Sequence, residues 1–321
     1  MTLRRPTAVL TCALLLAVAS ACGGGGSDGD QQESSPEVRS AVEVSGDFGA
    51  EPEVTVDAPL EVSTSESWTT SEGDGDTVGN ASTAILQLTL VDGRTGKTAV
   101  STASKGQAPI EVALGSQQIF PSVVKALVGQ KAGSRVVVAS TSDDTYGANG
   151  NPQIGIKGGD PVVIVADVLS TDPTDVLDGP DGTAVTPPRN APRVVEKGGV
   201  PVSITMPKGK KPTKLQVITL EKGDGPAIAA ADRVSVDYLG QVWSPKATKP
   251  FDQSYDGDPA TFSIGLSRVI KAWDQGLVGV TEGSRVLLVC PPGLAYGKAA
   301  QGDDIPAGST LVFVIDVLGV G

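Results

Sequence analysis

The chain reads nearly the same line twice. Displaced by 150 residues, Gly73-Asp-Gly75 falls on Gly223-Asp-Gly225, Pro109 on Pro259 and Gly115 on Gly265. In the same register Leu127-Val-Gly129 meets Leu277-Val-Gly279, and Gly133-Ser-Arg-Val136 meets Gly283-Ser-Arg-Val286. Tyr146-Gly147 likewise meets Tyr296-Gly297. Past one inserted residue the shift is 149, and Asp167-Val-Leu169 lies on Asp316-Val-Leu318. One register held through turns, helix and strands marks an internal duplication, and the copies are too long for a solenoid repeat. We read two copies of one domain, residues 51–171 and 213–321, in a chain of 321 residues with room for both.

Within the second copy, strand signals dominate. Lys214 to Leu220 alternates, and Arg233 to Tyr238 puts Val234, Val236 and Tyr238 on one face. Thr261 to Ile264 is a short strand, and Ser284–Cys290 and Thr310–Leu318 are rich in Val, Ile and Leu. Val269, Ile270, Trp273 and Leu277 share one face of a short helix over 268–277, stopped by Gly279. The 40 glycines and 23 prolines favour turns and short strands over long helices. The fold class expected is α+β, each copy an antiparallel sheet curved over a short helix.

The aromatic residues are concentrated. Aromatics are 4% of the chain, yet Tyr238, Trp243, Phe251, Tyr255, Phe262, Trp273, Tyr296 and Phe313 fall in one stretch. Such a set builds either a plain core or a concave apolar pocket with polar groups at its rim, and composition does not separate the two.

Several functions are excluded. There is no histidine, so no Ser-His or Cys-His pair, histidine acid/base catalysis or His-ligated metal is available. The net charge of −12 argues against nucleic acid as a partner. No cofactor or metal is expected. Of the three cysteines, Cys12 and Cys22 belong to the N-terminal segment, and Cys290 is read as a buried thiol at a strand end.

Arg4-Arg5 followed by the apolar run Ala8–Ala19 reads as a secretory signal peptide, residues 1–21. Its end, Val18-Ala-Ser-Ala-Cys22, resembles a bacterial lipobox, with Ala19 where leucine is usual. That resemblance implies a lipid on Cys22, anchoring the chain to the outer, extracytoplasmic face of the cell membrane. An ordinary signal peptide is the alternative. The Gly-rich segment that follows is read as a flexible tether over 22–50, and the proline-rich segment 172–212 as a semi-rigid linker. Val200–Met206 within it is a candidate edge strand of the second copy.

Val234-Ser-Val-Asp-Tyr238, Phe251-Asp252, Val269-Ile270-Lys-Ala-Trp273, Ala295-Tyr296-Gly297, Ile305-Pro306 and Leu311-Val-Phe313 occur in this order. As an ordered set they resemble an FKBP-type peptidyl-prolyl cis/trans isomerase domain over residues 213–321. The resemblance implies that Trp273 is the floor under a prolyl ring and that Tyr238, Phe251, Val269, Ile270 and Phe313 are walls. It further implies that Tyr296 offers its hydroxyl to a substrate carbonyl, that Asp252 presents a carboxylate, and that Ile305 lies on a loop closing the site. For Val269, Ile270 and Phe313, plain core packing is an equal reading. The basic residue often found after the family's Ser-Tyr-Asp run is missing here, where Asp256-Gly-Asp258 stands.

The first copy loses this set. Leu88 stands at the position of Tyr238, Ser101-Thr102 at Phe251-Asp252, Val123 at Trp273, Phe120 at Ile270 and Ile164 at Phe313. It is expected to keep the scaffold and not to catalyse. The function implied is a lipid-anchored isomerase, acting as a monomer on proline-containing clients and assisting the folding of exported proteins. The alternative is a non-catalytic prolyl-peptide-binding or chaperone module.

Overall fold

The computed structural model describes residues 36–116, 118–247 and 249–321. The signal segment, Cys22 and the start of the tether lie outside the described residues. Helix α1 (Pro36–Ser40) leads into strands β1 (Val42–Ser45) and β2 (Glu53–Val56). The first copy follows with β3 (Glu66–Ser71), β4 (Thr83–Asp92), β5 (Lys97–Ser101), β6 (Ile110–Ala113), α2 (Pro121–Leu127), β7 (Arg135–Ser140) and β8 (Val162–Thr171). Then come β9 (Thr183–Ala184), β10 (Arg193–Lys197) and β11 (Val200–Thr205). The second copy is built of β12 (Gln216–Lys222), β13 (Arg233–Val242), β14 (Asp252–Gln253), β15 (Ala260–Ser263), α3 (Lys271–Gly276), β16 (Arg285–Cys290) and β17 (Leu311–Val320).

The two main sheets are antiparallel and repeat one topology. The first runs β3-β7-β8-β4-β5 with β6 also on β4; the second runs β12-β16-β17-β13-β14 with β15 also on β13. Alternation along the central strands buries both faces. Val234, Val236, Val286, Leu288, Phe313 and Ile315 pack on the face carrying Ala272 and Trp273 of α3. Their neighbours Leu239, Leu287, Val289, Val312 and Val314 form a separate cluster on the opposite face.

That opposite face is covered by a hairpin, which corrects two sequence readings. Residues 36–50, assigned to the tether, contribute α1 and β1, and Val42 and Val56 are buried with Val137, Val163 and Val165. In the second copy β10 and β11 form their own two-stranded sheet, and Ile204 is buried with Leu239 and Val289. So Val200–Thr205 is not an edge of the main sheet; β9 takes the edge beside β12. The hairpins belong to the duplication: Val44 pairs with Val54, and Val194 with Ile204, the same 150-residue shift at both ends.

The segment 172–212 is likewise folded on rather than spanning a gap. Proline has no N–H, but its neighbours do, and buried donors must find partners. The Leu177 N–H donates to the Leu318 carbonyl (2.8 Å), Gly182 to Gly283 (3.1 Å) and Val185 to Leu220 (2.7 Å).

Each copy carries a buried ion pair fastening its hairpin to its sheet. Arg135 Nε donates to Asp167 Oδ1 (2.6 Å), and its Nη1 to the Gly46 carbonyl (2.7 Å). Arg285 Nε donates to Asp316 Oδ1 (2.6 Å), and its Nη1 to Glu196 Oε1 (2.6 Å). The copies also meet directly: Arg233 Nη1 donates to Glu111 Oε1 (2.9 Å) and its Nε to Asp172 Oδ1 (2.8 Å). Glu111 Oε2 lies 3.2 Å from Arg268, two residues ahead of Ile270.

Cys290 ends β16 fully buried, and burial pushes its thiol pKa well above the ordinary value. It is expected to resist a water-soluble thiol reagent in the native protein and to react once urea unfolds the second copy. Rapid native labelling would contradict this packing.

Candidate functional site

The site grows from α3. The helix is short, and its N-cap Ile270 is extended (φ −61°, ψ 146°), with its carbonyl accepting from Trp273 and Asp274. The expected helix over 268–277 is thus trimmed at both ends, with Val269 and Ile270 on the loop before it. That loop is held tightly: Ser267 sits at φ +58°, and the N–H groups of Gly265 (2.7 Å) and Ser267 (3.0 Å) donate to the Asp274 carboxylate. A left-handed serine is costly, and the carboxylate offsets part of that cost. Among the described residues the Ile270 N–H has no partner.

Trp273 points from α3 into a ring of aromatic side chains. Tyr238 (5.4 Å, 84°), Phe262 (5.3 Å, 82°) and Phe313 (5.3 Å, 87°) each meet the indole at close to a right angle. Phe251 meets Phe313 the same way at 5.7 Å. Edge-to-face contacts of this kind contribute about 0.5–1.5 kcal/mol each beyond area burial. The indole is 4% exposed, and Nε1 has no hydrogen-bond partner among the described residues. Around it Tyr238, Phe251, Phe262, Val269 and Ile270 are only half-buried, and Tyr296 is 38% exposed. A buried indole therefore lies beneath a half-exposed apolar rim.

Polar groups stand at the rim. The Tyr238 hydroxyl donates to Asp252 Oδ2 at 2.6 Å, and Asp252 Oδ1 accepts from the Gln253 N–H. Burial raises the Tyr238 phenol pKa well above its ordinary value, and the neighbouring Asp252 carboxylate adds to the rise. Asp252 is partnered here by a phenol. Asp256 and Asp258 are exposed.

The nine residues singled out in the second copy do not all contribute alike. Tyr238, Phe251, Trp273, Phe313, Val269 and Ile270 converge on one apolar cluster. Ile305 is buried in it too, with its carbonyl accepting from Gln301. Asp252 and Tyr296 stand at the solvent edge. Trp243 and Tyr255, counted in the aromatic stretch, face the other way: both pack in the hairpin-side cluster, and the Tyr255 hydroxyl donates to Asp316 (3.0 Å). Strand alternation explains Trp243, which shares its parity with Leu239 and not with Tyr238.

Two residues were not among the site residues read from the sequence. Phe262, counted there only in the aromatic stretch, touches both Trp273 and Tyr238. Gly240 is the other. It pairs with Phe313, and a Cβ there would stand 2.6 Å from Phe251 Cζ and 2.7 Å from Phe313 Cε1. A glycine inside a Val/Leu-rich strand signals that something approaches the backbone closely, and here it is two pocket walls. Gly240→Ala is expected to push both rings off the backbone, costing about 1–3 kcal/mol of stability and about tenfold in activity. Denaturant titration and a peptide assay check this; unchanged activity would show that the rings do not shape the basin.

The first copy makes the contrast physical. Leu90 occupies the position of Gly240 and pairs with Ile164, and both are buried in the core of the first copy. Val123 and Ile164 are fully buried, and Phe120 lies edge-on against Tyr146 at 5.0 Å.

Comparison with known proteins agrees in extent with the duplication. The family model for FKBP-type peptidyl-prolyl cis-trans isomerase matches residues 74–168 and again 225–318. An FK506-binding protein of Streptomyces anulatus is 40% identical over 119 residues, covering 36% of this chain and 94% of its own length. FK506-binding protein 1A of Neurospora crassa is 42% identical over 108 residues, covering 33% and 88%. Among solved structures, the three FKBP domains of wheat FKBP73 align over 80% of this chain and 94% of that chain, at 17% identity and a TM-score of 0.34.

Proposed function

Because the chain belongs to the FKBP-type peptidyl-prolyl cis-trans isomerase family, we propose that its second copy catalyses rotation about X-Pro bonds in exported polypeptides. The observation that supports this is the aromatic cluster around Trp273, present in the second copy and replaced by Val123, Leu88 and Ile164 in the first. Rotation about the amide must cross about 18–20 kcal/mol because resonance is lost on twisting. The isomers themselves differ by only about 0.5–1 kcal/mol, so the obstacle is kinetic. Water stabilises the polar planar amide better than the twisted one. An apolar basin reverses that preference and binds the twisted form more tightly, which is where the rate gain arises.

In this reading Trp273 supports the prolyl ring, and Tyr238, Phe251, Phe262 and Phe313 keep water from it. The Tyr296 hydroxyl and the free Ile270 N–H are donors for substrate carbonyls. The Tyr238–Asp252 hydrogen bond fixes one wall. No group in the basin needs to change protonation during the step. With the Tyr238 pKa raised, that hydrogen bond persists across neutral pH, and activity is expected to be flat from about pH 6 to 9. A bell-shaped profile in that range would argue for proton transfer instead.

The signal segment and Cys22 support a lipid-anchored, extracytoplasmic protein that assists folding outside the cell membrane. The test of the catalytic reading is isomerisation of an X-Pro peptide by the full chain, with Tyr146→Phe in the first copy as a control. Acceleration by both is expected. A full chain that binds the peptide at the uncatalysed rate would favour the non-catalytic binding module.

A further inference from the structure

The chain carries a net charge of −12, yet one short segment is strongly basic. Between Thr186 and Lys214, Arg189, Arg193, Lys197, Lys208, Lys210, Lys211 and Lys214 are set against one acid, Glu196. That carboxylate is already taken by Arg285. Arg189, Arg193 and Lys208 line a cleft of about 440 Å³ at the open end of the β10–β11 hairpin, together with Asn190, Thr205 and Met206. Among the described residues none of the three cations has an ion-pair partner.

The frame beneath them is fixed. Ala191 is buried and its N–H donates to the Pro188 carbonyl (2.9 Å), Arg193 pairs with Thr205, and Met206 packs on the hairpin-side cluster. The scaffold does not require most of this charge. At the same 150-residue shift the first copy keeps Arg39 for Arg189 but has Glu43 for Arg193, Ala58 for Lys208 and Glu61 for Lys211. Like charges held around one cleft without counter-charges oppose one another, and an anion seated among them removes that opposition.

We propose that this cleft binds a phosphate-bearing anion. Two guanidinium groups suit bidentate contact with phosphate oxygens, and the Lys208 ammonium adds a point charge. The Asn190 amide and Thr205 hydroxyl supply neutral donors, and exposed Lys210 and Lys211 extend the attractive field. The cleft lies on the hairpin side of the sheet, and the aromatic basin on the other, so occupancy of one leaves the other open. The phosphate comes either from a free inorganic ion or from the headgroup of an anionic lipid surface.

The full chain carrying Cys22→Ser, so that no lipid contributes, is titrated with pyrophosphate by calorimetry. It is also sedimented with phosphatidylglycerol or phosphatidylcholine vesicles. Binding that weakens with salt is expected, and the triple variant R189Q/R193Q/K208Q should lose at least about tenfold in affinity. Lys97, Lys105 and Lys131 in the first copy, replaced by glutamine together, make a control of equal charge change that should stay within about twofold. Binding of pyrophosphate identifies a free phosphate ligand; binding of phosphatidylglycerol vesicles alone identifies a headgroup. Absence of binding to either, or equal losses in the two triple variants, overturns the proposal.

Discussion

Trp273→Ala is expected to remove nearly all isomerase activity and about 3–5 kcal/mol of the stability of the second copy. The two losses share one cause. The indole is the meeting point of the rings of Tyr238, Phe262 and Phe313, so its removal leaves a cavity that three aromatic walls must either line or fill. Lining it exposes apolar surface with no packing partner; filling it closes the basin, as Val123 and its neighbours do in the first copy. Loss of about 2–3 kcal/mol of differential contact with the twisted amide corresponds to a fall of roughly 30- to 160-fold in kcat/KM. A more conservative variant, Trp273→Phe, should stay within about 2 kcal/mol of the parent in denaturant titration and still lose activity. An alanine variant that remains folded and retains the parental rate would remove Trp273 from the site.

Arg285→Ala is the second large effect, and it acts on stability without touching the basin. The guanidinium and the Asp316 carboxylate are 6% and 2% exposed, and Arg285 holds the carboxylate at 2.6 and 2.7 Å. Truncating one partner leaves a buried charge without its counter-ion, and the expected cost is about 3–5 kcal/mol. Tyr255 remains as a donor to Asp316, which keeps the figure from being larger. The same truncation frees Glu196, so protease cleavage between Arg193 and Thr205 should accelerate alongside the fall in the denaturation midpoint. Replacing both partners, Arg285→Met with Asp316→Leu, is expected to restore most of the stability, because no unpaired charge is left. If the double variant is as unstable as the single one, the penalty belongs to packing and not to the stranded carboxylate.

The duplication was legible because its markers are geometric. Glycines at turns are required by the backbone in both copies, and the Gly-Ser-Arg-Val run carries the arginine of each buried ion pair. The basin residues were legible through the resemblance, since period-2 strands and one short apolar helix face cannot tell a pocket wall from core. Gly240 was hidden because its role is to have no side chain, and Phe262 was visible only as one member of the aromatic stretch, because the motifs that carry the resemblance do not include it. The hairpins were misread for a different reason. Gly- and Pro-rich flanks resemble linkers in composition, and Val42, Val56 and Ile204 are too few to announce a covering layer. Only the alternation in β13, β16 and β17, apolar on both faces, hinted that something must lie on the second face.

The covering hairpins change where this protein can be cut. A fragment beginning at residue 213 would look like a complete catalytic domain by family resemblance. It would nevertheless strip Ile204 and Met206 from Leu239, Leu287, Val289 and Val314, laying bare a greasy sheet surface, and it would leave Arg285 without Glu196. Aggregation of such a truncate would report a badly chosen boundary, not an inactive enzyme. A soluble catalytic piece should start upstream of Thr183, so that the edge strand and the hairpin are inherited along with the sheet they shelter.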